Sequence, residues 1–490
     1  MRAGPFWAWA ATVCLCTGLA QAQETNETEK LKQQLEETQR RFEQQQREMR
    51  ESFERLMREQ QSQIDALKKR LETHSTNAPP AEESARATPS QTPASAPVER
   101  PWSPTEPIRI GTAQAYMGIS FDSLFAVGGM SKPNEVQLYE PGGHDPNRNG
   151  FTVQNLETVF DGKVDPYFRA QANIVLQLTP DSETTIEVEE AWLETMSLPW
   201  NLQFKAGQYL TQFGRLNTQH PHTWDFVDEP LVNARFLGPD GLRNPGIQLS
   251  WLIPTPFYSE LFFSVQNSAG ETAYSFDDTH GGDFFLGRQD AATGGIDSMS
   301  DLLYSARYTA SFDLSDENTV LLGGSGAFGP NSSGADMRTR IYGVDLFYKW
   351  KSRNQSVGFP FITWQSEWMY RRYQAGAFQF DGDGDGIPDI SLPAETLCDW
   401  GFYTQGSYGF TPRWVVSLRG DYLNGGMGAA VPTVDNDRQW RISPALTWYP
   451  SEFSKIRIQY NYDRFETLGP AWGIWMQLEF LLGSHAAHRF

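Results

Sequence analysis

The residues best suited to chemistry lie in three short stretches. In Asp381-Gly-Asp383-Gly-Asp385-Gly-Ile387-Pro-Asp389, carboxylates recur at alternate positions and glycines permit a sharp turn. Oxygen-rich loops of this kind wrap Ca²⁺, and the Ile387 carbonyl would be a further ligand. His220 and His222 flank Pro221, with Asp225 three residues on. Those residue types are zinc ligands, but two histidines on a loop fall short of a site. The widest charged stretch runs from Arg215 to Pro245 and carries Arg215, His220, His222, Asp225, Asp228, Glu229, Arg235, Asp240 and Arg243. Trp224, Phe226 and Phe236 are interspersed among them. Such a mixture suits a narrow aqueous passage, with walls that pack by aromatics and charges that steer solutes. Catalytic signatures are missing: there is no G-x-S-x-G, no P-loop and no paired-cysteine motif. No histidine sits in an evident Ser-His-acid arrangement, so the sequence reads as non-enzymatic, with no required cofactor and Ca²⁺ as an option.

The elements that must position these residues are strands. From Ile108 onward apolar and polar residues alternate, as in Ile474, Met476, Leu478, Phe480, Leu482, Ala486 and Phe490 against Gln477, Glu479, Gly483 and Arg489. Period two puts one face in lipid and the other in water. The same alternation appears in 168–178, 440–448 and 455–463. A barrel built this way stays polar on average, which accommodates a mean hydropathy of −0.51. The 31 Phe, 18 Tyr and 16 Trp supply material for interfacial girdles. Sixteen strands are expected, beginning near residues 108, 151, 166, 184, 200, 246, 257, 300, 318, 338, 359, 397, 413, 437, 453 and 473. The fold class is thus an all-β transmembrane barrel over 108–490. Links after even strands are short, as at Asp165-Pro166 and Thr411-Pro412, and long ones follow odd strands, around 130–150, 215–245, 268–299 and 379–396. That places the turns in the periplasm and the long loops outside the cell. Sixteen strands are wide enough for an aqueous channel. Its inward faces carry Arg169, Lys205, Arg371, Arg419, Arg441, Lys455 and Arg457 against Glu187, Asp345, Glu367, Asp421 and Asp463.

Three segments precede the barrel. Residues 1–22 read as a signal peptide: Arg2, an apolar run from Phe6 to Leu19, then Ala20-Gln21-Ala22. Cys14 and Cys16 leave with it, so Cys398 remains alone and no internal disulfide is expected. Residues 23–74 are almost free of Gly and Pro. Leu35, Phe42, Met49 and Leu56 recur every seven positions, followed by a register slip, which predicts a periplasmic coiled coil. Residues 75–107, rich in Pro, Ala and Ser, form a linker. A net charge of −20 weighs against nucleic acid as a partner, which would call for a basic face.

The stretch WNLQFKAGQYLTQFGRLNTQ, followed by DFVDEPLVNARFLGPDGLRNPGIQLSW, resembles the phosphate-selective porin O/P family. The matching pieces are Gly207-Gln208-Tyr209, Phe213-Gly214, and an aromatic-acidic run closing with Arg243 and Gly246. Gln212 departs from the proline frequent there. The resemblance covers the barrel and implies a passive outer-membrane porin, assembled as a homotrimer, for small hydrophilic solutes or ions, anions and phosphate among them. It also implies that the third outer loop folds inward as the constriction. Arg215, His220, Asp225, Asp228, Glu229, Arg235 and Arg243 would then line the pore with Lys205, Arg419, Arg441 and Arg457. The terminal Phe490, in phase with the lipid face, looks like the recognition signal for the barrel assembly machinery. The Asp381–Asp389 run resembles the calcium loops of thrombospondin-like repeats, whereas Leu392 stands where an EF-hand needs Glu. Two other roles compete with transport: an envelope spacer using the coiled coil, and an outer-membrane hydrolase.

Overall fold

The computed structural model describes residues 108–112, 115–163, 165–179, 182–278, 284–289, 295–356, 358–382, 386–425 and 437–483. The expected signal peptide, coiled coil and linker, Asp383, Asp385 and Phe490 lie outside them.

Sixteen antiparallel strands form one closed sheet. They are β1 Tyr116–Met130, β2 Gly150–Lys163, β3 Phe168–Leu178, β4 Thr184–Thr195, β5 Leu202–Leu210, β6 Arg243–Leu252, β7 Tyr258–Asn267 and β8 Leu302–Ser315. The second half comprises β9 Asn318–Pro330, β10 Arg338–Ser356, β11 Phe359–Ala375, β12 Glu395–Thr411, β13 Trp414–Leu423, β14 Gln439–Ser451, β15 Ser454–Phe465 and β16 Gly469–Leu482. Each pairs with the next, and β16 closes on β1 in register from Phe121↔Leu482 to Met130↔Gly473. Closure leaves no sheet edge inside the bilayer, where an unpaired backbone group would cost several kcal/mol. The expected first strand differs in place. Ile108–Gly111 is only a stub, paired with Tyr116–Ile119, and the barrel strand itself starts at Tyr116. The stub covers the part of β1 that extends past the β16 pairing, so its backbone groups are also satisfied.

The strands run from 9 residues in β5 to 19 in β10, enough to cross a hydrocarbon core at a tilt. Their outward side chains form an apolar band that includes Val188, Leu249, Val344, Leu418, Ile442, Ile458 and Ile474. Aromatic rings border it at both ends. Trp414 stacks on Trp448 near the short turns, and Trp440 packs on Tyr462 near the long loops. This is the signature of a membrane span made of strands.

Connections after even strands are tight, only Asp316-Glu317 after β8 and Glu452-Phe453 after β14. After β2, Asp165 makes the turn itself: its Oδ1 accepts from the backbone N–H groups of Tyr167 and Phe168, at 2.8 and 2.9 Å. Connections after odd strands include loop 1 (131–149), loop 3 (211–242), loop 4 (268–301) and loop 6 (376–394). At the long-loop end the lumen is packed with apolar side chains. Leu231, Val232, Phe236 and Leu237 of loop 3, Val136 and Tyr139 of loop 1, and Phe276 of loop 4 meet Met369, Leu423, Phe465 and Trp475 from the wall.

Candidate functional site

Loop 3 is launched by the residues that carry the family resemblance. Gly207, with φ 128°, lies so close to β4 that a Cβ there would stand 2.2 Å from the Ala191 carbonyl. Tyr209 and Phe213 are fully buried, and the Phe213 ring rests on the bare backbone of Gly343 in β10. Gly214 then turns the chain inward in the left-handed region, at φ 58°. Its N–H donates to Ser325 Oγ at 3.1 Å, and the next-but-one N–H, of Leu216, donates to Glu367 Oε1 at 2.8 Å.

From there the loop crosses to β4, where His220 Nδ1 lies 2.9 Å from Glu189 Oε2 and Nε2 lies 3.3 Å from Glu190 Oε2. It returns past β15, whose Lys455 Nζ and Arg457 guanidinium donate to the carbonyls of His222, Trp224 and Phe226. Asp228 is the anchor of the whole path. Arg419 donates to its Oδ1 at 2.9 Å and Arg441 to its Oδ2 at 2.5 Å, and the Gln459 and Asn461 amides add 2.6 and 2.8 Å bonds. Burial alone would raise the Asp228 carboxyl, but the Arg419 and Arg441 guanidinium groups hold it down at about 2. The short helix Leu231–Leu237 then packs into the apolar end, with Arg235 donating to the Asp437 carbonyl at 2.9 Å. Arg243 opens β6, paired with Glu187.

Loop 1 docks on loop 3 through buried acids. Asp145 Oδ1 accepts from the Glu229 N–H at 2.7 Å and Oδ2 from the Gly142 N–H at 2.8 Å. Burial and the neighbouring Asp228 raise the Asp145 carboxyl to about 7, and burial together with Asp145 raises Glu229 as well. The imidazole of His220 is discouraged from charging by burial, yet Glu189 and Glu157 prevail and keep it well above its ordinary range.

Beneath loop 3, toward the short turns, lies a cavity of about 590 Å³. Of the residues that the sequence places at a constriction, Lys205, Arg215, Asp225, Asp228 and Arg419 line it. Asp225 accepts from Ser407 Oγ at 2.9 Å. His220, Glu229, Arg235, Arg243, Arg441 and Arg457 are buried between loop and wall instead. The structure therefore divides the expected set into a lining group and a loop-fastening group, with Asp228 and Arg419 serving in both. Residues of the fastening group that the sequence did not single out as sites are Glu140, Asp145, Asp463 and Gln459. Glu140 and Asp145 gave a weak signal, since buried acids on a loop look like solvated ones, and Gln459 and Asp463 read as ordinary inward-facing strand residues. At the calcium motif, Asp381 Oδ2 accepts from the Gly386 N–H at 2.8 Å and Asp389 Oδ2 from the Gly382 N–H at 2.9 Å.

A closed sixteen-stranded barrel with an apolar belt, aromatic borders and a loop drawn into a polar lumen defines a transmembrane β-barrel of porin architecture, embedded in outer-membrane lipid. No family model matches the chain. An uncharacterized protein of Aquifex aeolicus (strain VF5) is 31% identical over 379 residues, which are 71% of this chain and 73% of that protein. The chain belongs to the same family as that protein. Among solved structures, the outer membrane channel DcaP of Acinetobacter baumannii is similar at 12% identity, covering 76% of this chain and 99% of that one, with a TM-score of 0.45. The anion-selective porin of Comamonas acidovorans is similar at 10% identity, covering 75% of this chain and 100% of that one, also with a TM-score of 0.45. Both overlaps are loose.

Proposed function

We propose that the protein is a non-enzymatic, passive outer-membrane channel for small hydrophilic solutes, with loop 3 as the element that sets what passes. The observation that carries this reading is the fastening of loop 3 across the lumen above a charged vestibule. A barrel serving only as an anchor has no need of a polar interior threaded by a loop.

The reading extends to anions, inorganic phosphate among them. Arg169, Lys205, Arg307, Arg419 and Lys455 in the vestibule each face an acid: Glu194 for the first two, then Asp345, Asp228 and Glu479. Arg215 is held otherwise. Its Nε donates to the neutral Gln365 at 3.2 Å and its guanidinium lies 3.9 Å over the Phe347 ring. Although Glu367 and Asp345 lie within its field, no acid forms an ion pair with it among the described residues, and fields of fixed charges set ion preference in narrow pores. Reversal potentials of the full chain in planar bilayers under a KCl gradient are expected to show anion preference, weakened in Arg215→Gln. Cation preference in the wild type would overturn the anionic reading and leave the channel reading standing.

A homotrimer is consistent with the uneven wall. Strands β3–β7 have 9 to 12 residues, whereas β8–β12 have 13 to 19. A low wall matches the bilayer less well and is favoured as a contact between copies. Residues 23–74 serve in this account as a periplasmic coiled coil and Phe490 as the assembly signal. Calcium on the 381–389 loop is supported by the carboxylate spacing. Calorimetry with CaCl₂ should show heat that Asp383→Ala abolishes, and the absence of heat in the wild type would remove it.

A further inference from the structure

Where loop 3 meets β1–β4, the acids outnumber what packing or solubility requires. Asp122 and Glu157 are direct cross-strand partners on β1 and β2, both facing the lumen and both fully buried. On β4 the pairing with β3 jumps from Asn173↔Glu190 to Ile174↔Val188, so Glu189 is a bulge. A bulge re-aims side chains locally, and here it turns two successive glutamates, Glu189 and Glu190, into the lumen. Against these four carboxylates loop 3 lays His220 and His222, their rings stacked with centroids 5.9 Å apart. His220 Nδ1 lies 2.9 Å from Glu189 Oε2 and 3.5 Å from Glu157 Oε1. His222 Nδ1 lies 3.5 Å from Glu157 Oε2 and 3.8 Å from Asp122 Oδ2.

We infer that Glu157, Glu189 and His220 form a binding site for a divalent first-row transition-metal ion of the Zn²⁺ type, which fastens loop 3 to the barrel wall.

Three features point to such an ion. One potential ligand atom from each of the three residues lies within 4.8 Å of the others. The two separations from His220 Nδ1 bracket the edge of roughly 3.3 Å expected for a tetrahedron with bonds of about 2.0–2.1 Å. The outer groups have the orientation that metal-bound ligands need. Glu190 Oε2 faces the far ring nitrogen of His220 at 3.3 Å, so a metal at Nδ1 would leave Nε2–H to donate to a carboxylate. The Asn173 amide donates to Glu157 Oε1 at 2.5 Å, fixing that carboxylate in turn. Partners of this kind orient ligands and raise their basicity. Independently, Asp122 is fully buried, lies directly across from Glu157, and neither of its oxygens accepts a hydrogen bond among the described residues. A buried carboxylate without a donor is costly unless a cation stands nearby, and an ion held by Glu157, directly across the strand pair, would lower that cost. Lys455 and Lys205 each have an acid of their own: Lys455 Nζ is 2.5 Å from Glu479 and Lys205 Nζ is 4.0 Å from Glu194. One imidazole among carboxylates favours Zn²⁺, Mn²⁺ or Fe²⁺ over Ca²⁺, which prefers oxygen alone.

The test uses the refolded full chain in detergent, stripped with EDTA and titrated with ZnCl₂ alone. One tightly held zinc per chain is expected, with an absorption edge showing one nitrogen among oxygens. Glu157→Gln and Glu189→Gln keep the shape of the side chain and should each weaken binding at least 100-fold, and Glu190→Gln roughly 10- to 100-fold. Heat-modifiable migration on gels would confirm that each variant still forms the barrel. Asp383→Ala should leave this zinc in place, separating it from the outer loop. No zinc in the wild type, or equal retention in both glutamine variants, would overturn the site and leave a purely hydrogen-bonded histidine–carboxylate cluster.

Discussion

Single carboxylates in this lumen have opposite tasks, set by what surrounds them. Asp228 is charged: two guanidinium groups and two amides converge on it, and its carboxyl is held at about 2. Asp145 sits beside it on loop 1, facing Asp228, Glu229, Glu140 and, across the lumen, Arg441, and its carboxyl is raised to about 7. An acid raised in the folded state binds more protons there than in the unfolded chain between its ordinary 3.8 and 7. Stability from Asp145 therefore falls as pH rises through that window and is constant above it. Asp228 works in the other direction, but its contribution is complete above its ordinary value and is lost only as pH falls from about 4 toward 2. Loop 1 should accordingly dock most firmly near pH 4–5. Hydrogen-exchange protection factors for residues 136–145, corrected for intrinsic exchange, are expected to be higher at pH 5 than at pH 8. Asp145→Asn should flatten the difference. Protection that rises toward pH 8 would contradict the assignment.

At the scale of elements, loop 3 is a tenant of the barrel held by side chains from many strands. Removing one partner of a buried ionic cluster costs about 3–5 kcal/mol, because the remaining charges lose their compensation. Asp228→Ala removes the one loop 3 acid shared by Arg419 and Arg441, which keep only Asp421 and the pair Glu140 and Asp463, so it should free loop 3 while leaving the strands paired. Trypsin is expected to cut at Arg235 in the variant and not in the wild type, with β-sheet circular dichroism unchanged. Resistance of both would show that the loop is held mainly by its apolar helix. The strands themselves were legible in the sequence, since lipid on one side and water on the other enforce period two, as in Ile474 to Phe480. So was the inward loop, which the porin resemblance implied and whose interspersed rings and charges in 215–245 suit a narrow passage. The bulge at Glu189 was not legible. Period two admits one inward glutamate, and only the slip between Asn173 and Ile174 brings in its neighbour. The apolar helix of loop 3 was hidden for a related reason: Leu231, Val232, Phe236 and Leu237 look the same in a sequence whether they face lipid or a filled lumen. The first strand began later than expected because Ile108–Gly111 has the alternation of a strand but pairs only with the base of β1.

For the whole molecule, the lumen is layered. Apolar packing occupies the long-loop end, a ladder of fixed charges from Arg371–Asp399 to Arg441–Asp463 grips loop 3 below it, and the vestibule opens beneath. In the proposed reading, flow through such an interior is limited by the loop, in contrast to a wide pore limited by barrel diameter. The most direct measurement is single-channel conductance of the purified full chain in planar bilayers, beside Asp228→Ala. The account predicts small steps in the wild type and markedly larger, noisier ones when Asp228 no longer holds the loop. Wild-type steps as large as those of the variant would contradict it, since loop 3 would then not be what limits passage.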